Sequence, residues 1–172
     1  MTIGKNRFQM IRILICIFVC LWGIIACQGK QDAPGVKESS RDSMDFTLKD
    51  LTGQFFTLSE QQGKLVLLIF SATWCPSCRS EIPHFKQLYS TYGPLGLTIV
   101  NIDIQESMER VSRFSLNNTL PYRVLLDTDA SVATAYNIHG IPSLVLIGRD
   151  GKLISREYSL MDNILADLFH HG

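Results

Sequence analysis

The 172-residue chain has no uncharged apolar run of 18 residues, no excess of charge of either sign and no second Cys-x-x-Cys. Each absence removes a class of protein. The longest apolar run, Ile13 to Ala26, has 14 residues. A helix needs roughly 20 to cross ~30 Å of hydrocarbon, so a comfortable permanent span is not expected. Basic and acidic residues number 16 each, which leaves no field to recruit nucleic acid. Only four histidines are present, His84, His139, His170 and His171, none at a ligand spacing from a cysteine pair. Structural zinc wants four ligands, so no metal is expected. No internal repeat is visible. What remains, 46% hydrophobic and 19% charged residues, suits one globular domain.

The charge balance conceals an asymmetry. Lys5, Arg7 and Arg12 precede the apolar run and no acidic residue does. A basic start followed by a run of this length reads as an export signal. It closes with Ile24-Ile25-Ala26-Cys27, which resembles the bacterial lipoprotein signal. That resemblance implies a signal peptide over 1–26, acylation of Cys27 and a lipid-anchored mature chain on the extracytoplasmic face of the envelope. An uncleaved signal anchor is the alternative, and it faces the folded part the same way. Residues 27–43 have too little apolar surface to offset their ordering entropy and read as a tether, with a reach of about 20–24 Å. The folded domain is then 44–172. Without the first 26 residues, 13 basic residues face 16 acidic ones.

Of five cysteines, Cys16 and Cys20 leave with the signal and Cys27 goes to lipid. Cys75 and Cys78 remain, in Thr73-Trp74-Cys75-Pro76-Ser77-Cys78. A disulfide closing so short a loop restrains the unfolded chain little, so stability is not its purpose.

From Asp45 onward strand and helix signals alternate. Phe46–Leu48 and Gln54–Leu58 flank a turn at Asp50-Leu51-Thr52-Gly53, and Ser59 can cap a brief helix ending near Gly63. Leu65 to Phe70 is continuously apolar, as in a strand buried on both faces, and is the candidate central strand. Pro76 to Tyr92 carries a helical stripe at Ile82, Phe85, Leu88, Tyr89 and Tyr92, with Pro83 expected to kink it. Leu97–Ile102 is the next strand. Ser107 caps a helix with Met108, Val111 and Phe114 inward. Val124–Leu126, a helix over Ala130–Tyr136, a hairpin of Leu144–Ile147 with Leu153–Tyr158, and a helix over Met161–Phe169 complete a small α/β layer fold.

Cys75 falls where the buried strand gives way to a helix, so backbone N–H groups and the helix dipole favour its thiolate, the reacting species. Cys78, one turn inward, is expected to be the less exposed of the two. Trp74 either packs beside the sulfur or is a core aromatic. Glu81, three residues after Cys78, is either a desolvated carboxyl that shuttles the proton of the buried thiol or a solvated residue of the helix face.

Trp74-Cys75-Pro76-Ser77-Cys78 at a strand-to-helix turn resembles the active site of the thioredoxin superfamily. Gly140-Ile141-Pro142-Ser143-Leu144 before an apolar strand is similar to the family's cis-proline loop. Asp45-Phe46-Thr47-Leu48, the Cys-x-x-Cys-x-x-Glu-x-Pro ending at Glu81 and Pro83, and Val124 to Asp129 resemble the membrane-tethered TlpA/ResA-like branch. The resemblance spans about Asp45 to Phe169. It implies a thioredoxin-like fold, a central mixed sheet flanked by helices with an N-terminal β-hairpin and a central insert. It implies Cys75 as nucleophile, Cys78 as resolving cysteine, Glu81 as the acid near the pair, and Trp74, Pro76, Ser77, Ile141 and Pro142 as residues shaping the site. Ser143 departs from the usual threonine. The implied activity is extracytoplasmic thiol-disulfide exchange, reducing exported proteins such as apocytochrome c. It needs no cofactor beyond the Cys75–Cys78 pair, draws electrons from a membrane dithiol donor and suits a monomer. Two other classes compete: a copper-handling relative, since paired thiolates suit Cu(I), and a thiol peroxidase, disfavoured because Ala72 stands where its threonine would be.

Overall fold

The computed structural model describes residues 43–170. The signal segment, Cys27 and nearly all of the tether lie outside the described residues. One seven-stranded mixed sheet carries the fold. Its strands are β1 (Thr47–Asp50), β2 (Phe55–Thr57), β3 (Leu65–Ser71), β4 (Leu97–Ile104), β5 (Arg123–Asp127), β6 (Ser143–Ile147) and β7 (Leu153–Ser155), in the order β2-β1-β5-β4-β3-β6-β7. The helices are α1 (Pro76–Ser80), α2 (Ile82–Tyr92), α3 (Met108–Asn117), α4 (Ser131–Ala135) and α5 (Met161–His170). β3, β4 and β5 run parallel, and β1, β6 and β7 pair antiparallel at the flanks.

β3 is buried along its whole length, which is why its sequence is continuously apolar rather than alternating. Its side chains divide with period two between two cores. Val66, Leu68 and Phe70 pack with Val100, Ile102 and Tyr136. Leu65, Leu67 and Ile69 pack with Phe85 and Leu88 of α2 and Met161 and Leu165 of α5. Full burial of each such side chain is worth about 1.5–3 kcal/mol, so the sheet has strong covering on both faces. The N-terminal hairpin is stapled to β5 through Asp50. Its carboxylate accepts from Thr52 N, Gln54 N and Arg123 Nε at 2.9, 2.9 and 2.8 Å.

Several sequence expectations need correction. β3 is internal but β4 holds the middle place of the seven. Met108 is 43% exposed rather than inward; as the first helical residue after the Ser107 cap it precedes the first turn that faces the sheet, which Val111 covers. Ser59 caps nothing with its side chain, because it is already inside a short 3₁₀ turn over Ser59–Gln61. The final hairpin strand stops at Ser155, since Tyr158–Leu160 turns as 3₁₀ into α5. The long helix divides at Glu81, one turn past Cys78, as Pro83 demands. Among the described residues no helix is long and apolar enough to cross a membrane.

Candidate active site

Cys75 is the N-cap of α1, in extended conformation at φ −77°, ψ 116°. It follows β3 by four residues and faces the loop before β6. Its sulfur accepts from Cys78 N at 3.2 Å and lies 3.2 Å from Ser77 Oγ and 3.7 Å from the Ile141 carbonyl. Ser77 Oγ also lies 3.4 Å from that same carbonyl, and the Ile141–Pro142 peptide is cis. The two loops are thereby joined across the sulfur. Pro76 and Ser77 are exposed, and Ile141 and Pro142 are half-buried.

The two thiols are driven apart. Burial alone would raise Cys75, but hydrogen bonds from the Cys78 thiol, the Ser77 hydroxyl and the N–H groups of Cys78 and Ser77 outweigh it, and its pKa falls below the ordinary thiol range. Cys78 is pushed up to about 12, first by burial and then by donating to Cys75. The expected difference in exposure is not found, because the residues are 4% and 5% exposed. What separates them is which sulfur the hydrogen bonds point at.

Trp74 is 63% exposed, so it is no core aromatic and instead stands as a broad apolar surface beside Cys75. Glu81 is not the enclosed carboxyl that desolvation would require, since its side chain is 35% exposed. It accepts from the Tyr158 hydroxyl at 2.7 Å and lies 3.3 Å from His84 Nδ1, while His84 Nε2 reaches Asp162 at 2.9 Å. Neither sulfur is among its hydrogen-bond partners. Burial and then the Glu81 contact push the Tyr158 phenol above its usual range.

The sequence reading missed a second acidic pair on the inner side of the motif. Glu106 accepts from Thr73 N at 2.5 Å and Thr73 Oγ1 at 2.6 Å, fixing the residue before Trp74. Burial would raise it, but the Thr73 bonds and others hold it below the usual carboxylate range. Asp103 is 2% exposed and is pushed up to about 9, by burial first and then by the facing Glu106 carboxylate. The available signal was the alternation in β4: Asn101 and Asp103 occupy the face on which Leu97 and Ile99 are core. Among the described residues no group of three His, Cys, Asp or Glu side chains is placed to hold a metal ion.

Comparison with known proteins agrees with this geometry. Residues 40–156 match the AhpC/TSA family. The thiol-disulfide oxidoreductase ResA of Bacillus subtilis (strain 168) is 32% identical over 155 residues, covering 87% of this chain and 84% of the relative. ResA of Bacillus thuringiensis subsp. konkukian is 30% identical over 151 residues, 87% of each. A crystal structure assigned to a thiol:disulfide interchange protein DsbE from Chlorobium tepidum superposes with a TM-score of 0.69 at 27% identity, covering 75% of this chain and 96% of that one. The sheet order, the Cys-x-x-Cys at the end of β3 and these matches lead to one assignment: the chain belongs to the AhpC/TSA family of the thioredoxin superfamily and is a thiol-disulfide oxidoreductase.

Proposed function

We propose that Cys75 and Cys78 are the redox pair, that the domain works at the extracytoplasmic face of a bacterial membrane, and that it reduces disulfides of specific exported proteins such as apocytochrome c. The carrying observation is the placing of the pair: Cys75 Sγ caps α1 and accepts from Cys78 N at 3.2 Å, which lowers its pKa, while burial pushes the Cys78 thiol up. Cys75 thiolate attacks one sulfur of the partner disulfide, and the partner's other sulfur leaves as a thiolate. Cys78 loses its proton and attacks Cys75 Sγ, releasing the partner's second sulfur. Two electrons pass to the partner and the Cys75–Cys78 disulfide forms. Trp74, Pro76, Ser77, Ile141 and Pro142 form the surface the partner meets, and Glu81 edges it through Tyr158.

Placement rests on the lipoprotein-like run ending at Cys27. A domain so tethered meets no reducing buffer, so a membrane dithiol carrier must recharge it. No cofactor enters this cycle, and a monomer suffices. The test is Cys78→Ser in the full chain, which halts exchange at the mixed disulfide. Mass spectrometry of trapped partners should find a small set dominated by haem-binding apoproteins. Many unrelated partners would instead indicate a general oxidant, and no trapped partner would remove Cys75 as nucleophile.

A further inference from the structure

The helix that carries the redox motif meets a neighbour on each side, and its side chains reach them with opposite charge. Arg79 and Glu81 are two residues apart, about 200° around a helix, so they leave α1 on opposite sides. Arg79 is exposed, and its guanidinium carbon lies 5.8 Å from the centre of the Phe114 ring on α3. Glu81 turns the other way, to Tyr158 just before α5 and to His84, whose Nε2 is 2.9 Å from Asp162 on α5. The seam toward α3 continues in the same sign. Lys86 Nζ donates to Thr119 Oγ1 at 3.0 Å, and the exposed Arg110, one turn before Phe114, stands 3.7 Å from Glu106.

The two seams keep these charges toward solvent. Among the described residues neither Arg79 nor Lys86 has a carboxylate within ion-pair distance. The anion beside Arg110 is buried and already accepts from Thr73 N and Thr73 Oγ1, and Glu109 is matched by Arg113 at 3.6 Å. The α3 side is therefore positive. On the α5 side two carboxylates, Glu81 and Asp162, share the one imidazole of His84, so negative charge is left over whether that ring holds one proton or two. Glu157, beside Tyr158, adds an exposed carboxylate. Arg156 does not offset it, because its guanidinium turns to the carbonyl and ring of Tyr136.

We infer that this polarity selects and orients the partner: the segment that offers its disulfide to Cys75 carries carboxylates on the side passing α3 and amines or guanidinium groups on the side passing α5. The inference rests on Cys75–Cys78 being the redox pair and names the partner chemistry that pair accepts. An extended segment advances ~3.3 Å per residue, so residues two or three away from the partner cysteine stand about 7–10 Å from its sulfur. That is within one screening length, ~10 Å at 0.1 M salt. Arg79, one turn past Cys75, is the nearest reader on the positive side. Exposed charges so placed act on encounter and orientation, favouring a complementary segment and disfavouring its reverse. Arg79 is thus a specificity determinant and takes no part in the exchange itself.

The test is the rate at which the reduced full chain in detergent reduces disulfide-linked dimers of end-capped peptides, read as released peptide thiol. The peptides are Asp-Asp-Ala-Cys-Ala-Lys-Lys, the reverse order Lys-Lys-Ala-Cys-Ala-Asp-Asp, the neutral Asn-Asn-Ala-Cys-Ala-Gln-Gln and an all-acidic form with aspartates on both sides. Each rate constant is divided by that of the same protein on hydroxyethyl disulfide, which is neutral, so changes in Cys75 itself cancel. In wild type the better polarised peptide should exceed the neutral one by about 3–10-fold at low salt, the scale of two or three exposed ion pairs. The advantage should fall below about twofold at 1 M salt, where the screening length is ~3 Å. Arg79→Glu combined with Lys86→Glu should abolish it. The inference is overturned if neither polarised peptide exceeds the neutral one, if the all-acidic peptide exceeds both, or if the double variant keeps the preference. Should that variant not fold, an advantage that survives 1 M salt overturns it alone. Failure of wild type to reduce hydroxyethyl disulfide would instead refute the Cys75–Cys78 reading.

Discussion

Asp103 makes a prediction about stability that is independent of any catalytic role. In the folded protein its carboxyl is pushed up to about 9, whereas in the unfolded chain an aspartate titrates near ~3.9. Between those values the folded state holds about one proton more than the unfolded state. Stability therefore falls as pH rises, by about 1.4 kcal/mol per pH unit from this group alone. The contribution is whole below the unfolded value and is used up as pH passes the folded one. Glu106, held below the usual range, acts in the opposite sense, but only in acid, below about pH 4.5.

Asp103→Asn removes the titration while preserving shape and a donor toward Glu106. Urea unfolding of the reduced full chain in detergent, wild type and variant, should give a stability difference that grows in favour of the variant from pH 5.5 to 8. The expected change across that window is about 3 kcal/mol. Taking the difference cancels the four histidines, which titrate in both proteins. A difference that stays constant across the window would mean that Asp103 is ionised in the folded state, and the reasoning about its burial would be wrong.

Two further outcomes follow from the hydrogen bonds. Ser77→Ala removes the hydroxyl 3.2 Å from Cys75 Sγ, a bond worth about 1 kcal/mol; alkylation of Cys75 by iodoacetamide at pH 6.5 should slow by roughly 3–10-fold, while Cys78 stays unreactive in both proteins. Asp50→Ala leaves Arg123 Nε and two N–H groups without the carboxylate they share, although Arg123 Nη2 keeps the Phe55 carbonyl, and urea unfolding should show a loss of about 1–3 kcal/mol.

Much of this was legible in the sequence because it depends on neighbours along the chain. The continuous run Leu65–Phe70 requires burial on two faces, Ile82, Phe85 and Leu88 share one helical stripe, and the break at Glu81 follows from Pro83. Cys75 meets the helix start because strand and helix join there. What was not legible depends on neighbours across the fold. Glu81 is engaged by Tyr158, 77 residues on, and nothing in the spacing of the motif announces that. Asp103 lies beside Ser71 only through the parallel register of β3 and β4. Met108 satisfies a helical period yet faces water, because a period fixes which residues share a face and leaves open where the first turn begins.

The polar residues at the ends of β3 and β4 show what that register achieves. Ser71, Asn101 and Asp103 prolong the face on which Leu67, Ile69 and Ile99 form hydrocarbon core. A fold selected for stability alone would continue the apolar face, since a buried carboxyl with an unpartnered oxygen is unfavourable. The adjoining core can offset that loss, because a few fully buried leucines and isoleucines outweigh it at about 1.5–3 kcal/mol each. The change from hydrocarbon to carboxyl occurs beside Thr73, where β3 hands over to the motif and Glu106 holds the chain. The outer hydrogen bonds distinguish Cys75 from Cys78, and the surrounding core offsets the cost of the carboxyl buried at the end of β4.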